Sequence, residues 1–127
     1  MIGIVDTHTF LWLADTPEKV SADAAAFLRD PANEPTLSLA SVWELVIKTG
    51  TGKLKLKAPV EAMAARWVRS GGRLLPITLE HVLAVQHLPS IHRDPFDRLL
   101  IAQAREERAA LVSDDATVKQ YPVPVIW

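Results

Sequence analysis

Hydrophobic positions fall in short blocks divided by turn residues, and their period changes along the chain. Met1–Asp6 (MIGIVD) is an apolar run ending in an acid, the pattern of a buried strand. Thr9–Ala14 stays apolar and opens a short helix. Ser21 caps an alanine-rich helix over Ala22–Arg29, which stops at Asp30-Pro31. Thr36–Leu39 reads as a second strand and Ala40–Thr49 as a helix ended by Gly50. Thr51–Pro59 alternates Lys and Leu as a loop or ribbon. Val60–Ser70 is amphipathic, ends at Gly71-Gly72, and leads into a strand at Arg73–Ile77. Glu80–His87 is a helix closed by Leu88-Pro89. Asp94-Pro95 opens the best-marked helix, with Phe96, Leu99, Leu100 and Ala104 on one face. Ala110–Ser113 is a fourth strand, Asp114–Tyr121 a short helix and Val123–Trp127 a last strand. Strands alternating with helices predict an α/β fold with a mainly parallel sheet, helices on both faces and right-handed crossovers. Ligand sites in such sheets lie beyond the carboxyl ends of the strands.

The 127 residues suit one domain spanning 1–127. The absence of cysteine excludes disulfides, thiolate-bound zinc and a thiol nucleophile. No basic, cleavable leader and no apolar run of about 18 residues is present, so a soluble, intracellular, cytoplasmic protein is expected. Lys and Arg number 14 against 15 Asp and Glu, which excludes a protein that holds nucleic acid by bulk charge alone. An acidic site that loads a cation remains compatible with that balance.

The acids are where chemistry is to be sought. Asp6 ends the first strand, and Asp114 and Asp115 follow the fourth; each is equally a cap for the next helix. Glu44 lies in Val42-Trp43-Glu44-Leu45-Val46-Ile47-Lys48, apolar almost all round. A buried acid there needs a pair or a cation, and Lys48 at i+4 offers the pair. Asp94 and Asp97 share a helix face at i,i+3, where Asp94 reads well as a cap and Asp97 less so. A parallel sheet would gather these carboxylates on one edge. Clustered carboxylates repel unless a cation lies among them, and oxygen donors without Cys or His select Mg²⁺ or Mn²⁺. Such ions support phosphodiester hydrolysis. His81, His87 and His92 have no partner at metal-ligand spacing and read as surface or packing residues. Lys48, Lys53, Lys55 and Lys57, with Arg93 and Arg98 beside the Asp94/Asp97 pair, are either phosphate-backbone contacts or solvated surface.

Four segments together resemble the PIN-domain ribonuclease toxins of the VapC type. They are Ile4-Val5-Asp6-Thr7-His8-Thr9-Phe10-Leu11-Trp12, Ala40-Ser41-Val42-Trp43-Glu44-Leu45 through Lys48, His92-Arg93-Asp94-Pro95-Phe96-Asp97-Arg98-Leu99-Leu100-Ile101-Ala102-Gln103-Ala104, and Leu111-Val112-Ser113-Asp114-Asp115. They run in the family's order across essentially the whole chain, and the Asp-Pro-Phe-Asp stretch is the most specific. The resemblance implies a three-layer sandwich around a parallel sheet, Mg²⁺- or Mn²⁺-dependent endoribonuclease activity, a homodimer, and an antitoxin whose tail covers the site. It places the catalytic and metal-holding acids on Asp6, Glu44, Asp97 and Asp115, with Asp94 auxiliary. The family's small hydroxyl falls on Ser113, where Thr is common. Spacing from Ser113 favours Asp115 over Asp114 as the inward acid.

Three rivals remain open on the sequence. A phospho-accepting receiver would need an Asp after a central strand and a Lys after the last-but-one. A binding module on the same fold would have lost its acids, which are all filled. A metallophosphatase would use Asp6 and His8 of Asp6-Thr7-His8, but lacks the further Asn and His motifs.

Overall fold

In the first strand, β1 (Ile2–Val5), neighbouring residues feed different cores, as the two-residue period of a strand requires. The computed structural model describes residues 1–127 and buries Ile4 in one apolar cluster and Val5 in the other. The same division recurs at Leu111 and Val112 of β4 (Ala110–Val112). On the Ile4 side lie Leu88, Leu100, Ile101 and Ala104; on the Val5 side lie Phe10, Ala24, Leu37 and Leu45. Both faces of the central sheet are therefore covered, which explains why β1 and β4 are apolar runs rather than half-polar alternations.

The chain runs β1, α1 (Thr7–Asp15), α2 (Ala22–Arg29), β2 (Glu34–Ser38), α3 (Leu39–Gly50), α4 (Val60–Arg69), β3 (Arg73–Leu75), α5 (Leu79–Val85), α6 (Pro95–Glu106), β4 and β5 (Val125–Ile126). Five strands pair in the order β3-β2-β1-β4-β5, all parallel. The chain builds outward from β1 to β3, then returns across β1 to place β4 and β5 on its other side. Strand order thus reverses between β1 and β4, and the crevice beyond their carboxyl ends is the place such a sheet offers a ligand. Register aligns Val5 with Val112, so Asp6 and Ser113 leave the sheet side by side.

Gly3 lets α2 lie this close to the sheet: a Cβ there would stand 2.2 Å from Cε1 of Phe27. Strands β3 and β5 are shorter than the pattern-based expectation, and two further differences have a local cause. Helix α1 starts at Thr7 rather than Thr9, because the Asp6 carboxylate accepts from the Thr9 amide and caps it. The helix expected over Asp114–Tyr121 reduces to a single 3₁₀ turn, Val118–Gln120. There Ser113 Oγ accepts from the Asp115 amide and Asp115 Oδ1 from the Thr117 amide, so side chains take the amides a helix would use. No helix is long and apolar enough to cross a membrane.

Candidate active site

Asp6 is buried at the crevice, with its two carboxylate oxygens committed differently. Oδ1 caps α1, while Oδ2 accepts from the Ser113 hydroxyl at 2.5 Å. Thr9 Oγ1 donates to the Val112 carbonyl, tying the start of α1 to the end of β4. The next residue reaches across to α3: Thr7 Oγ1 lies 2.6 Å from Glu44 Oε1 and 3.0 Å from Ser41 Oγ. Glu44 is only 4% exposed on a helix that is otherwise largely apolar. Its second oxygen takes the Lys48 ammonium, the i,i+4 pair that the sequence offered. That hydrogen bond raises the Lys48 pKa above its ordinary value against the cost of burial, helped by the charges of Glu44, Asp94 and Asp97.

The start of α6 brings the other acids. Asp94 is its N-cap, accepting from the amides of Phe96 (2.8 Å) and Asp97 (3.3 Å), with Pro95 in the first turn. Asp97 does not close a capping box. Its carboxylate faces the His92 ring instead, 3.2 Å from Nε2. Burial pushes the Asp97 pKa up to about 7, and the negative charges of Asp94, Glu44 and Asp6 add to that, with His92 opposing. Asp115 behaves oppositely. Burial works to raise its pKa, but hydrogen bonds from His92 and the Thr117 amide outweigh it and hold the group below the ordinary value.

Asp6, Glu44, Asp94 and Asp97 therefore form one electrostatic unit, joined through His92 to Asp115. Asp114 is exposed and stands outside it. Of the cations singled out from the sequence, Lys48 is paired with Glu44. Arg98 donates to the Val85 and Pro89 carbonyls and to the Tyr121 hydroxyl, while Lys53, Lys55 and Arg93 are exposed. His8 is exposed, its ring tilted 51° to that of Trp12 at 6.2 Å between centroids. The donor set suits a hard dication: burial, with the neighbouring carboxylates adding to it, leaves Asp97 holding its proton near neutrality, and a bound cation would favour the ionised form.

His92 is the residue that sequence reasoning missed. It reads there as surface or packing because no nearby residue stands at ligand spacing, yet the fold brings Asp115 from 23 residues away to 2.9 Å from its Nε2. The available signal was its position, two residues before the cap of the most strongly marked helix. Thr7, which braces Glu44, carried no signal of its own.

The PIN domain family model matches residues 3–124. No curated protein matches the chain. Among solved structures, it is similar to a chain of VapBC2 from Rickettsia felis bound to a promoter DNA fragment. The TM-score is 0.75 at 17% identity, over 98% of this chain and 97% of that one. The DNA-bound VapBC from Salmonella typhimurium gives a TM-score of 0.67 at 16% identity, over 98% and 96% of the two chains. VapBC-1 from nontypeable Haemophilus influenzae gives 0.64 at 19% identity, over 94% and 91%.

Proposed function

Because the chain belongs to the PIN-domain family, we propose that it is a divalent-metal-dependent endoribonuclease, the toxin of a toxin-antitoxin pair. The observation that carries this reading is the convergence of Asp6, Glu44, Asp94 and Asp97 at the β1/β4 crevice, where burial first, and then the charges of Asp94, Glu44 and Asp6, push the Asp97 pKa up to about 7 against His92. Asp6, Glu44, Asp97 and Asp115 would hold Mg²⁺ or Mn²⁺. When bound, the cation supplies an acidified water and takes up negative charge building on the phosphate. Ser113 fixes Asp6, Thr7 fixes Glu44, and Lys48 balances the outer oxygen of Glu44. The exposed Lys53, Lys55 and Arg93 would meet the RNA backbone. Hydrolysis adds the water oxygen to phosphorus and expels one ribose oxygen.

The relatives solved as VapBC complexes support a cognate antitoxin as partner. A cleft of about 620 Å³ between α1, α2 and α4, lined by Phe10, Leu13, Met63 and Trp67 with the exposed Arg29 and Arg66, shares no residue with the acidic site. It offers such a partner an anchor away from the carboxylates. A homodimer would cover the exposed Trp43 and Val46 of α3 and Leu79, Val82 and Leu83 of α5.

The test is cleavage of a mixed pool of structured RNAs with Mg²⁺, with Mn²⁺ and with EDTA, for wild type and Asp6→Ala. Metal-dependent cutting that Asp6→Ala abolishes is expected. Cutting that survives EDTA or Asp6→Ala would overturn the reading. Release of phosphate from a small phosphomonoester would favour the Asp6/His8 phosphatase instead.

A further inference from the structure

We propose that His92 is a positioning residue: a fixed Nε2–H donor that holds the Asp115 carboxylate beside Asp97 for the cation without ligating it. The inference rests on the metal-dependent reading of the site.

One oxygen of Asp97, one of Asp115 and a ring nitrogen of His92 lie within 4.8 Å of one another, close enough for all three to ligate one ion. The far side of the ring decides otherwise. Nδ1 accepts from the Asp94 amide at 3.1 Å. A ring nitrogen that accepts carries no hydrogen, so in the neutral imidazole the hydrogen lies on Nε2. Nε2 then has no lone pair for a metal. To free one, the hydrogen would have to move to Nδ1, where it would meet the Asp94 N–H head on. Metal-ligating histidines show the reverse arrangement, their far nitrogen donating to a carbonyl, carboxylate or water.

What Nε2–H does instead is donate to one acid while facing a second. It donates to Asp115 Oδ2 at 2.9 Å, and Asp97 Oδ2 lies 3.2 Å from the same nitrogen as a charge neighbour. Asp115 is thereby held at both oxygens, since Oδ1 accepts from the Thr117 amide at 2.8 Å. The Asp97 carboxylate, beside the ring but not hydrogen-bonded to it, stays available to a ligand. The loop that carries the ring is itself anchored. The buried Tyr121 hydroxyl accepts from the amides of His92 (2.7 Å) and Ile91 (3.2 Å) and donates to the Pro89 carbonyl, which Arg98 also binds. The donor therefore stands in place before any cation arrives, and the donor set offered to the ion stays all-oxygen.

Two measurements on the full chain test this. Long-range ¹H–¹⁵N spectra of the imidazole rings read the tautomer directly, with His92→Gln assigning His92 among the four histidines. A protonated Nε2 and an acceptor Nδ1 are expected without metal and again with saturating Mg²⁺. Loss of the Nε2 hydrogen on adding Mg²⁺ would make His92 a ligand and overturn the proposal. Calorimetric Mg²⁺ and Mn²⁺ titrations should show His92→Leu weakening binding by about 10- to 100-fold. In His92→Gln the side-chain amide can donate from near the Nε2 position, so most of the affinity should return. Binding unchanged in His92→Leu would overturn the role of His92 alone. Absence of binding by folded wild type would overturn the metal site itself, and this role with it.

Discussion

Helix α6 has a histidine facing an acid at each end, and the two ends do different things. At its C-terminal end, His81 of α5 is 1% exposed, takes the Thr78 amide on Nδ1 and faces Glu107 through Nε2 at 3.0 Å. Gln103 lies 3.2 Å from the same ring, accepts from Ser38 and donates to the Pro76 carbonyl. At the N-terminal end, His92 takes the Asp94 amide on Nδ1 and faces Asp97 and Asp115 through Nε2. The ring geometry is the same at both ends: backbone N–H in, carboxylate out. The difference is the charge beyond. His81 meets one acid and a neutral amide network in which every group is paired, which is how a buried polar cluster stabilises a fold. His92 meets two acids backed by Asp94, Glu44 and Asp6, with negative charge in excess. The contrast teaches that a histidine–carboxylate contact marks neither structure nor function by itself; the local charge balance separates them.

The largest expected effect that would break this contrast is on cleavage. Asp97→Asn preserves shape but removes a charge from the excess, and metal-dependent RNA cutting should fall by more than ~100-fold, beyond what loss of a supporting residue costs. Cutting retained at wild-type rate would mean that the acidic end is no more functional than the other. His81→Leu should do the opposite. Metal affinity and cleavage per folded molecule stay as in wild type, while chemical denaturation shows a loss of about 1–3 kcal/mol from unpaired Gln103 and Thr78 groups. A loss of metal affinity in this variant would erase the distinction.

The subtlest effect is on the pH dependence of stability in the metal-free protein. Asp97 has its folded pKa raised from 3.8 to about 7, so between those values the folded state binds more protons than the unfolded chain. Stability should therefore fall as pH rises through that window and level off above it. Asp115 has the opposite sign: its depressed pKa contributes stability that is kept above 3.8 and lost only as pH falls further. Melting curves across the window should show the downward slope in wild type and lose it in Asp97→Asn. Saturating Mg²⁺ should flatten it by favouring the ionised carboxylate. A slope unchanged in Asp97→Asn would place its origin elsewhere.

Much of the architecture was legible before the structure. Apolar runs alternating with capped helices predict the parallel sheet, and Ser21, Gly50 and Asp94-Pro95 mark helix ends close to where they fall. These signals are local: a cap, a period or a proline acts within a few residues. The short helix expected after Ser113 failed for an equally local reason. Asp and Ser there have two uses, capping a helix or folding a turn on their own side chains, and the sequence pattern does not choose between them.

The acids of the site were legible one at a time, each as a carboxylate at a strand end, at a helix start or in an apolar helix. Whether any was more than a cap depended on distances between residues far apart in the chain. The sequence by itself determined the strand–helix order, the apolar faces and the supply of carboxylates without cysteine. The tertiary structure decided that Thr7 braces Glu44, that Ser113 braces Asp6, that Asp114 faces solvent while Asp115 turns toward His92, and that Asp97 is pressed to about 7. The physical reason is range. Backbone propensity and capping are settled over one or two turns, whereas charge repulsion and desolvation depend on every group the fold brings within a few ångströms.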